Sequence, residues 1–440
     1  MFLALLLSAL LFMGLRGGEA ESEWVFIQIT DCRSGVNRDP QVSPDGRRAF
    51  FISTCDLVGR NSDLSPEIFK WDRGKLTQLT DASGCSIIDL DLAPDGKRVA
   101  FISNCYFDGK NRGRSPELMT LSEEGELQIL TQSFGHISRR PRWSGDGRMI
   151  AFESTANLTG ENPDNSNEIF LADLTASTPE LRQLSRTRAP AGCEHPNLSG
   201  RSVICRCNDD LPGTGSEEQG PGPTVIRDGR TAGANPDRNY ELFILHPEAK
   251  PKQLTDTRAC ENGPPALDGS GRLIAFTSNC RFSADRFSSE PRTGSTNELY
   301  FMADELIRPF SGFAFDGKGL AWSGDGRRLA FSSTMNLNRQ NRERNQEIFL
   351  LDLPRATAED LDGIFKKTGP ERWIKQLTRF SSAVSHSPRL SRDGKVVVFV
   401  SNVNLQNGNP ARIPQIFMAR QVARPADHEP EDFELYHLDD

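Results

Sequence analysis

The sequence contains few of the residues on which hydrolytic enzymes depend. Only six of its 440 residues are histidines, none of them spaced as His-x-x-x-His, and Gly-x-Ser-x-Gly does not occur. The first absence disfavours a zinc site on one helix face, and the second disfavours the nucleophile elbow of an α/β-hydrolase. The repeat pattern described below brings no cysteine and histidine together either. The sequence therefore gives no direct support to a hydrolase.

Long apolar runs and regions of one charge are missing from the body of the chain. The net charge is −8 with acidic and basic residues interspersed, so no stripe predicts nucleic-acid binding and no polybasic or amphipathic segment predicts lipid binding. After residue 20, no segment is apolar enough for a membrane helix. The one biased segment is the acidic tail at 425–440. We expect a monomer without nucleic-acid partners and without membrane insertion.

The first 20 residues resemble a secretory signal. An apolar run from Phe2 to Leu15 is followed by Arg16 and then by small residues that end at Ala20. At about 14 residues this run is too short for a bilayer, which needs roughly 20. The pattern predicts a signal peptide at 1–20 that is cleaved after Ala20, and thus a periplasmic or secreted protein.

Three landmarks recur in fixed order along the whole chain. The first is a short apolar run that ends in Gln-Leu-Thr or a variant, the second is a turn resembling Ser-Pro-Asp-Gly, and the third is Glu followed by two large apolar residues. The first landmark stands at Gln28 to Thr30, Gln78 to Thr80, Ile129 to Thr131, Gln183 to Ser185, Gln253 to Thr255, Arg308 to Phe310 and Gln376 to Thr378. The turns end at Gly46, Gly96, Gly147, Gly200, Gly271, Gly326 and Gly394. The third begins at Glu67, Glu117, Glu168, Glu241, Glu298, Glu347 and, with an amide in place of the acid, Gln415.

Each repeat predicts one four-stranded antiparallel blade. Strand A leads through the Asp-Gly turn to strand B, a polar loop leads to strand C at the Glu landmark, and strand D ends at Gln-Leu-Thr. Seven repeats predict an all-β, seven-bladed β-propeller over residues 21–424. Two long loops interrupt the repeats, at 212–234 and 354–371.

The two ends of the chain predict how the ring closes. No strand D follows strand C of the last blade, Gln415 to Arg420, whereas Trp24 to Thr30 has the strand D pattern with no strands A to C before it. We therefore expect the N-terminal strand to pair into the last blade, which leaves no open edge between the first and last blades.

The motif Ser43-Pro44-Asp45-Gly46, followed by Ala49-Phe50-Phe51-Ile52-Ser53 and later by Glu67-Ile68-Phe69, resembles the PD40 (WD40-like) propeller repeat of the TolB-like family. The resemblance extends over nearly the whole chain after the predicted signal, and it implies the fold more strongly than any function. TolB has an additional N-terminal α/β domain. Little sequence precedes the first repeat here, so that domain and its partner-docking role are not expected. Similar propellers also precede the catalytic domain of prolyl oligopeptidase-like enzymes.

The cysteines fall mostly at two positions of the repeat, one before strand A and one just after strand B. Because A and B are adjacent and antiparallel, the entrance of A lies beside the exit of B, and a cysteine at each position predicts an intrablade disulfide. The expected pairs are Cys32–Cys55, Cys85–Cys105, Cys193–Cys207 and Cys260–Cys280. Loops of this length give about 3 kcal/mol per bridge in the chain-entropy model. They also require an oxidising compartment.

Cys205 is the remaining cysteine, and it falls where other repeats have a core Phe. We expect a buried free thiol there, with Cys207 as the partner of Cys193. The alternative is metal binding by Cys205 and Cys207, but two thiolates supply only half of a tetrahedral set.

Positions that differ between repeats at the channel mouth are the candidates for ligand binding. The D-to-A loops lead into the central channel on the same face as the B-to-C loops. Alignment on strand A gives the varied set Asp39, Asp89, Arg140, His195, Pro264, Gly319 and Ser387, with Arg142, Arg389 and His386 close by. Opposite charges around a pocket suit a zwitterion, a peptide or a glycan, whereas a solvated rim is the alternative. The candidate ligand-binding residues are Asp39, Asp89, Arg140, His195 and His386.

The B-to-C loops are rich in oxygen-bearing side chains. Calcium takes six to eight oxygen ligands, but the central Gly and final Glu of an EF-hand loop are absent, and Asn and Asp also form turns. We therefore expect no cofactor, with calcium as the alternative. The loop residues in question are Asn162, Asp164, Asn165, Asn167 and Glu168, and Asn235, Asp237, Asn239 and Glu241.

Together these features predict a binding or scaffolding propeller whose partner is a protein, a small molecule or a glycan. The expected partner surface is the loop face that carries Cys32, Cys55, Cys85 and Cys105, with the 212–234 insertion as a candidate for contacts specific to this protein. The alternative is a propeller hydrolase or lyase that acts on a glycan or peptide in the central pocket. His195, Arg140, Asp89 or Asp39 would then take part.

Overall fold

The structure is a computed structural model that describes residues 22–107, 109, 111–211, 226–227, 230–231, 235, 237–282, 289–291, 297–303, 306–310, 315–353, 370–405 and 408–423. The predicted signal peptide at 1–20, its cleavage site and the acidic tail at 425–440 lie outside the described residues. So do most of the 212–234 insertion and most of the 354–371 loop.

Seven four-stranded antiparallel sheets form the protein, as the repeats predict. Blades 1 to 3, each in the order A to D, consist of Asn37–Val42, Arg48–Ser53, Glu67–Asp72 and Lys75–Gln78; Ile87–Leu92, Arg98–Ser103, Glu117–Ser122 and Leu127–Ile129; and Ser138–Trp143, Met149–Ser154, Glu168–Asp173 and Glu180–Gln183. Blades 4 to 6 consist of Cys193–Ser199, Ser202–Cys207, Glu241–His246 and Ala249–Gln253; Ala266–Leu267, Ile274–Ser278, Glu298–Ala303 and Leu306–Pro309; and Lys318–Trp322, Arg328–Ser333, Glu347–Asp352 and Ile374–Gln376.

Blade 7 is completed by the N-terminal strand. Its strands A to C are Ser385–Leu390, Val396–Ser401 and Gln415–Ala423, and its strand D is Ser22–Gln28. The register runs from Ser22 opposite Ala423 to Gln28 opposite Phe417. The first and last described segments of the chain therefore share one sheet, in the arrangement that the sequence predicts.

The A strands of consecutive blades contact one another around a full circle, so they line a central channel. The described elements outside the blades are short: two-stranded pairings of Ile226–Arg227 with Arg230–Thr231 and of Cys280–Phe282 with Ser289–Pro291, and 3-10 turns at Leu337–Arg339 and Pro370–Trp373. None of the helices in the described part of the chain combines the length and the apolarity that a membrane span requires.

The core is divided into seven apolar clusters, one between each pair of consecutive blades. Successive side chains of a strand point to opposite faces of its sheet, and here both faces are covered. Phe50 therefore packs toward blade 2 while Phe51 packs toward blade 7, where its ring stacks on Phe69 with centroids 5.8 Å apart. This explains why strand B reads as a continuous apolar run.

The Glu that begins strand C is buried and holds the end of strand D in its own blade. Glu67 accepts hydrogen bonds from the hydroxyl of Thr80 and, at 2.6 Å, from the backbone N–H of Ala82. In blade 5, Phe310 replaces the threonine, and the hydroxyl of Tyr300 donates to Glu298 at 2.9 Å instead. The recurrent acid is therefore a structural group, because each copy is used within its own sheet.

All four predicted disulfides are present. They join Cys32 to Cys55, Cys85 to Cys105, Cys193 to Cys207 and Cys260 to Cys280. Each bridge ties the entrance of strand A to the exit of strand B, on the face formed by the D-to-A and B-to-C loops. Cys205 is a buried free thiol opposite Phe243, with its sulfur 3.7 Å from that of Cys207.

Candidate functional site

A bulge in strand A shapes the wall of the central channel. The register of strands A and B shifts at this point in six blades, for example between Arg38 and Gln41. The residue in the bulge has a left-handed backbone in each of the six: Asp39, Asp89, Arg140, His195, Gly319 and Ser387. These are the positions that alignment of the repeats selects, except Pro264 in blade 5. A bulge re-aims a side chain next to a binding site, and five of these six positions carry a side chain.

Blades 1 and 2 form an acidic side of the channel. Asp39 has Asp89, Arg38, Arg142 and Arg389 as its charged neighbours. Burial raises the pKa of Asp39, Arg38 lowers it, and Asp89 raises it further. The side chains of Arg38 and Asp39 are 3.7 Å apart. Charges from blades 1, 2, 3 and 7 thus meet in the channel as a mixed cluster.

Asp91 extends this cluster two residues beyond the bulge. Its Oδ2 accepts the backbone N–H of Trp143 at 2.9 Å, which joins blade 2 to blade 3, and its Oδ1 is 3.8 Å from the guanidinium of Arg142. Burial raises the pKa of Asp91, while Arg142 lowers it. The equivalent side chains Gln41 and Asn197 also bond the next blade, but as donors, because their amides donate to the carbonyls of Leu90 and Pro265, each at 2.8 Å.

Blades 3 and 4 contribute a second group of charges. Arg140 is bound to Glu153, and the other carboxylate oxygen of Glu153 accepts the backbone N–H of His195 at 2.9 Å. Arg206 is bound to Glu194 and lies over the ring of Tyr240 at 4.2 Å from its centroid. Burial raises the pKa of Glu153 although Arg140 lowers it.

The two candidate histidines are held in the neutral form. Burial lowers the pKa of His195 to about 3, with Arg140, Arg206 and Arg142 contributing in the same direction. Burial also lowers the pKa of His386, whose Nδ1 lies 3.0 Å from the hydroxyl of Ser387. A neutral imidazole among arginines can donate or accept a hydrogen bond, but its environment opposes the protonated form that a general acid requires.

Glu153 and Arg206 were missed by reasoning from strand A alone. Both stand in strand B, at the position that Ile52, Ile102 and Val400 occupy in other blades. Both could have been identified from the sequence, because each is a charged residue at a position where other repeats have an apolar one. Their burial is possible because each has an oppositely charged partner from strand A.

The channel widens on one side into a cavity of about 930 Å³. Blades 5 and 6 present the small residues Pro264, Ala266, Gly319 and Ala321. At the positions of Ala266 and Ala321, the other blades present charged or amide side chains. Polar side chains from blades 3, 4 and 7 border the cavity, among them the cations Arg140, Arg142 and Arg389 and the neutral His195. Two of the candidate residues, Arg140 and His195, therefore line it, while Asp39, Asp89 and His386 do not.

The loop face also carries exposed apolar side chains. Of the eight large apolar residues that are exposed in the described chain, six lie in D-to-A or B-to-C loops of this face and the other two, Val25 and Leu306, lie in D strands. The six come from the loops of blades 7, 1, 2 and 3: Val384, Val36, Leu64, Tyr106, Phe134 and Ile137. Phe134 is 84% exposed and has a left-handed backbone.

A second cavity of about 610 Å³ lies beside Phe134, between blades 2 and 3. Its wall includes the apolar residues Ile129, Leu130, Leu158 and Leu181. Apolar surface is thus available both on the loop and in the adjoining groove.

In the first of the two loops considered for calcium, Asp164 and Glu168 use their oxygens in hydrogen bonds within the protein. The amide of Asn162 donates to the carbonyl of Ser166 at 2.9 Å, and Asp164 accepts the N–H of Ser166 at 3.3 Å and that of Ala189 at 3.0 Å. Glu168 faces strand D and accepts the N–H of Thr187 at 2.6 Å. These contacts account for the loop as a turn.

Comparison with known proteins gives similarity of fold alone. No family model matches the chain, and no curated protein matches it. Among solved structures, an oligogalacturonate lyase in complex with manganese is 11% identical, with 92% of this chain and 98% of that chain covered and a TM-score of 0.53. The β-propeller domain of the Trilobed protease from Pyrococcus furiosus is 12% identical, with coverage of 92% and 100% and a TM-score of 0.51.

TolB from Acinetobacter baumannii is also among the similar structures. It is 16% identical, with a TM-score of 0.36, and the match covers 62% of this chain and about half of TolB, 54%. The propeller of the Trilobed protease is described as having an open velcro topology. Here, by contrast, Ser22–Gln28 pairs into blade 7. The neighbours include both enzymes and TolB proteins, so the fold they share does not select an activity.

Proposed function

We propose that this chain is an exported binding propeller of the TolB-like type, which docks a protein partner on its loop face. The observation that carries the proposal is the position of the exposed apolar side chains. Six of the eight in the described residues are on this face, and they come from four consecutive blades. Exposed apolar side chains gathered on one surface are typical of protein-binding sites.

Phe134 is the most exposed residue of the proposed surface. At 84% exposure, its ring contributes little to the core. A Phe with positive φ also costs free energy that Gly would not, here in a loop where φ is 50°. A partner that buries this ring would gain up to about 3 kcal/mol from its apolar area alone. The groove lined by Leu158 and Leu181 lies next to it and offers a complementary recess.

The disulfides support both the proposed export of the protein and the proposed docking of a partner on the loop face. Four bridges in one chain fit an oxidising compartment, in agreement with the predicted signal peptide at 1–20. Cys32–Cys55 and Cys85–Cys105 lie in blades 1 and 2. These blades belong to the apolar sector, the part of the loop face on blades 7, 1, 2 and 3 that carries the six exposed apolar residues. The two bridges limit the motion of the loops that carry Val36 and Tyr106, and a preorganised loop loses less entropy when it binds.

The test is affinity capture with matched variants. Phe134→Asp places a charge on the proposed surface, and Leu306→Asp places the same charge on the outer edge of blade 5, where Leu306 is 42% exposed. Proteins from the exported fraction should be recovered by the wild type and by Leu306→Asp, and recovery with Phe134→Asp should fall about tenfold or more, as for an interface hot spot. Equal recovery with both variants would remove the support for this face. Unfolding midpoints of the two variants should be similar, because both positions are on the surface.

A further inference from the structure

The cavity at blades 5 and 6 lies on one side of the channel. Its space comes from small residues, because Ala266 and Ala321 stand where the other blades carry Gln, Asp, Arg or Asn, and Pro264 and Gly319 precede them. A volume of about 930 Å³ is within the range of small-molecule sites. The recess is therefore large enough for an organic ligand, and it is separate from the apolar sector on blades 7 to 3.

The charged groups that line this cavity are mostly cations. They are Arg140, Arg142, Lys318, Arg344 and Arg389, against the single carboxylate Asp316. Asp316 is occupied by the hydroxyls of Ser333 and Thr334 and by the N–H of Thr334 at 3.1 Å. In a chain of net charge −8, this is a local reversal of sign.

Arg389 is a cation of this cavity that makes few hydrogen bonds. Within the described residues, its hydrogen bond is to the carbonyl of Pro388 at 2.9 Å, and it has no ion pair. Burial lowers the pKa of Arg389 and the charge of Arg142 lowers it further, while the more distant carboxylates Asp91 and Asp39 raise it. Because a guanidinium has five N–H donors, most of those on Arg389 remain available to a ligand. A carboxylate matches the planar geometry of a guanidinium and would relieve the repulsion between the two arginines.

Apolar side chains also line the cavity. They include Leu320, Trp322, Phe315 and Met335. The indole N–H of Trp322 donates to the carbonyl of Ala266 at 3.1 Å, and its ring packs against Phe301 with centroids 5.9 Å apart, so its orientation is fixed. A ligand in this cavity meets both cations and flat apolar groups.

We propose that this cavity binds an organic carboxylate whose carboxyl group is received by Arg389 and Arg142 and whose apolar or ring-shaped body packs against Trp322 and Phe315. Neutral His195 adds a hydrogen-bonding group to the cavity without changing the net charge of its lining. The carbonyl contacts of Arg142 and Arg389, at 2.8 Å to Pro141 and 2.9 Å to Pro388, hold both guanidiniums in place before binding.

The experiment uses N-acetylphenylalanine as the probe and its amide as the uncharged counterpart, with affinities measured by titration calorimetry on the full chain. The carboxylate should bind and the amide should bind at least about tenfold more weakly, since a hydrogen bond to a charged group contributes about this much. Affinity for the carboxylate should also fall as sodium chloride is raised. Equal affinity for both compounds, or no binding of the carboxylate, would overturn the proposal.

Matched variants identify the site. Arg389→Gln should weaken binding of the carboxylate about tenfold or more and leave the amide unchanged, and Arg142→Gln is the second variant if the first does not fold. Arg73→Gln, in an exposed turn on the opposite face, should have no effect. Ala266→Leu should block the cavity, whereas Ala249→Leu on an exposed strand should not. If the arginine variants bind the carboxylate as well as the wild type does, the assignment is wrong.

This test is independent of the protein-docking proposal. Phe134→Asp lies outside the cavity and should leave affinity for N-acetylphenylalanine unchanged. Loss of partner capture with retained carboxylate binding, or the reverse, therefore separates the two sites.

Discussion

Thr30 and Gln415 join the two ends of the described chain across 385 positions of sequence. The hydroxyl of Thr30 donates to Oε1 of Gln415 at 2.7 Å, and the backbone N–H of Ile416 donates to the same hydroxyl at 2.9 Å. The amide of Gln415 also donates to the carbonyl of Cys32 at 2.7 Å. Two strands from distant parts of the sequence are thereby held in one register.

The other blades use Glu at this position because their acceptor needs are different. Glu241, for example, accepts from the hydroxyls of Thr255 and Thr257 and from the N–H of Thr257, each at 2.6 Å. The carboxyl group of Glu241 accepts in all three of these bonds, whereas the amide of Gln415 both accepts and donates. The amide of Gln415 therefore satisfies the carbonyl of Cys32, which a carboxylate would repel.

Removing the hydroxyl of Thr30 should weaken the ring closure. We expect Thr30→Val to lower the free energy of unfolding by about 1–3 kcal/mol, because Gln415 and the N–H of Ile416 lose their partner in a buried site. The measurement is urea unfolding combined with amide exchange of Ser22–Gln28. Unchanged unfolding and unchanged exchange in this strand would contradict the role given to the pair.

Gln415→Glu should be destabilising in a pH-dependent manner. The introduced carboxyl would be buried next to the carbonyl of Cys32, so its protonated form is favoured and the variant should lose stability as pH rises. Unfolding midpoints of variant and wild type should differ more at about pH 8 than at about pH 5. A difference that does not change with pH would show that the carbonyl contact is unimportant.

Glu241 should make the stability of the wild type depend on pH. Burial raises the pKa of Glu241 to about 8, although its hydrogen bonds from Thr255 and Thr257 lower it. Since the unfolded value is near 4.5, the folded state holds a proton that the unfolded state releases. The stabilisation is complete below about pH 4.5 and is lost as pH rises through about 8.

The variant Glu241→Gln tests this directly, and Gln415 shows that an amide fits the equivalent position of a blade. Its free energy of unfolding should decline less than that of the wild type between about pH 5 and about pH 9. Parallel curves for the two proteins would mean that Glu241 does not retain its proton.

His195 should make the stability of the wild type fall as pH falls, the opposite of the effect of Glu241. Burial and the three neighbouring arginines lower its pKa to about 3, whereas the unfolded value is near 6.5. The unfolded state therefore binds a proton first, and this contribution to stability falls as pH drops from about 6.5 toward about 3. Histidine signals in NMR spectra, assigned with His195→Asn, should show no titration of His195 above about pH 5. A midpoint near 6.5 would contradict its placement among the arginines.

Cys205 should be chemically silent in the folded protein. It is fully buried, and burial raises the pKa of its thiol, so little nucleophilic thiolate forms. Iodoacetamide should label no cysteine under native conditions and one after denaturation without reductant, and peptide mapping should identify that one as Cys205. Labelling of Cys193 or Cys207 in place of Cys205 would show a different pairing in blade 4.

The sequence was sufficient to predict the architecture because the same repeat occurs seven times, once for each four-stranded blade. Landmarks such as Glu67 and Gln415 show where strand C begins and therefore where strands A and B lie. A cysteine before strand A then has one nearby partner, the cysteine after strand B of the same blade. The N-terminal strand was predictable for the same reason, since a strand D without its own blade must pair elsewhere.

The site was only partly predictable, because it depends on how blades differ and on space that no single residue encodes. Alignment finds Asp39 and Arg140 at the bulge, but the cavity exists because Ala266 and Ala321 are small in adjacent blades. Likewise, phenylalanine is a residue type usually found in the core, and the exposure of Phe134 follows only from its position in a loop.

The most direct measurement of the central claim is site-specific photo-crosslinking around the loop face in the exported protein. A photoreactive residue at position 134, 137 or 384 should give discrete covalent adducts with the same partner, and one at position 306, in strand D of blade 5, should give none. Adducts at position 306 together with none at 134, 137 and 384 would contradict the account.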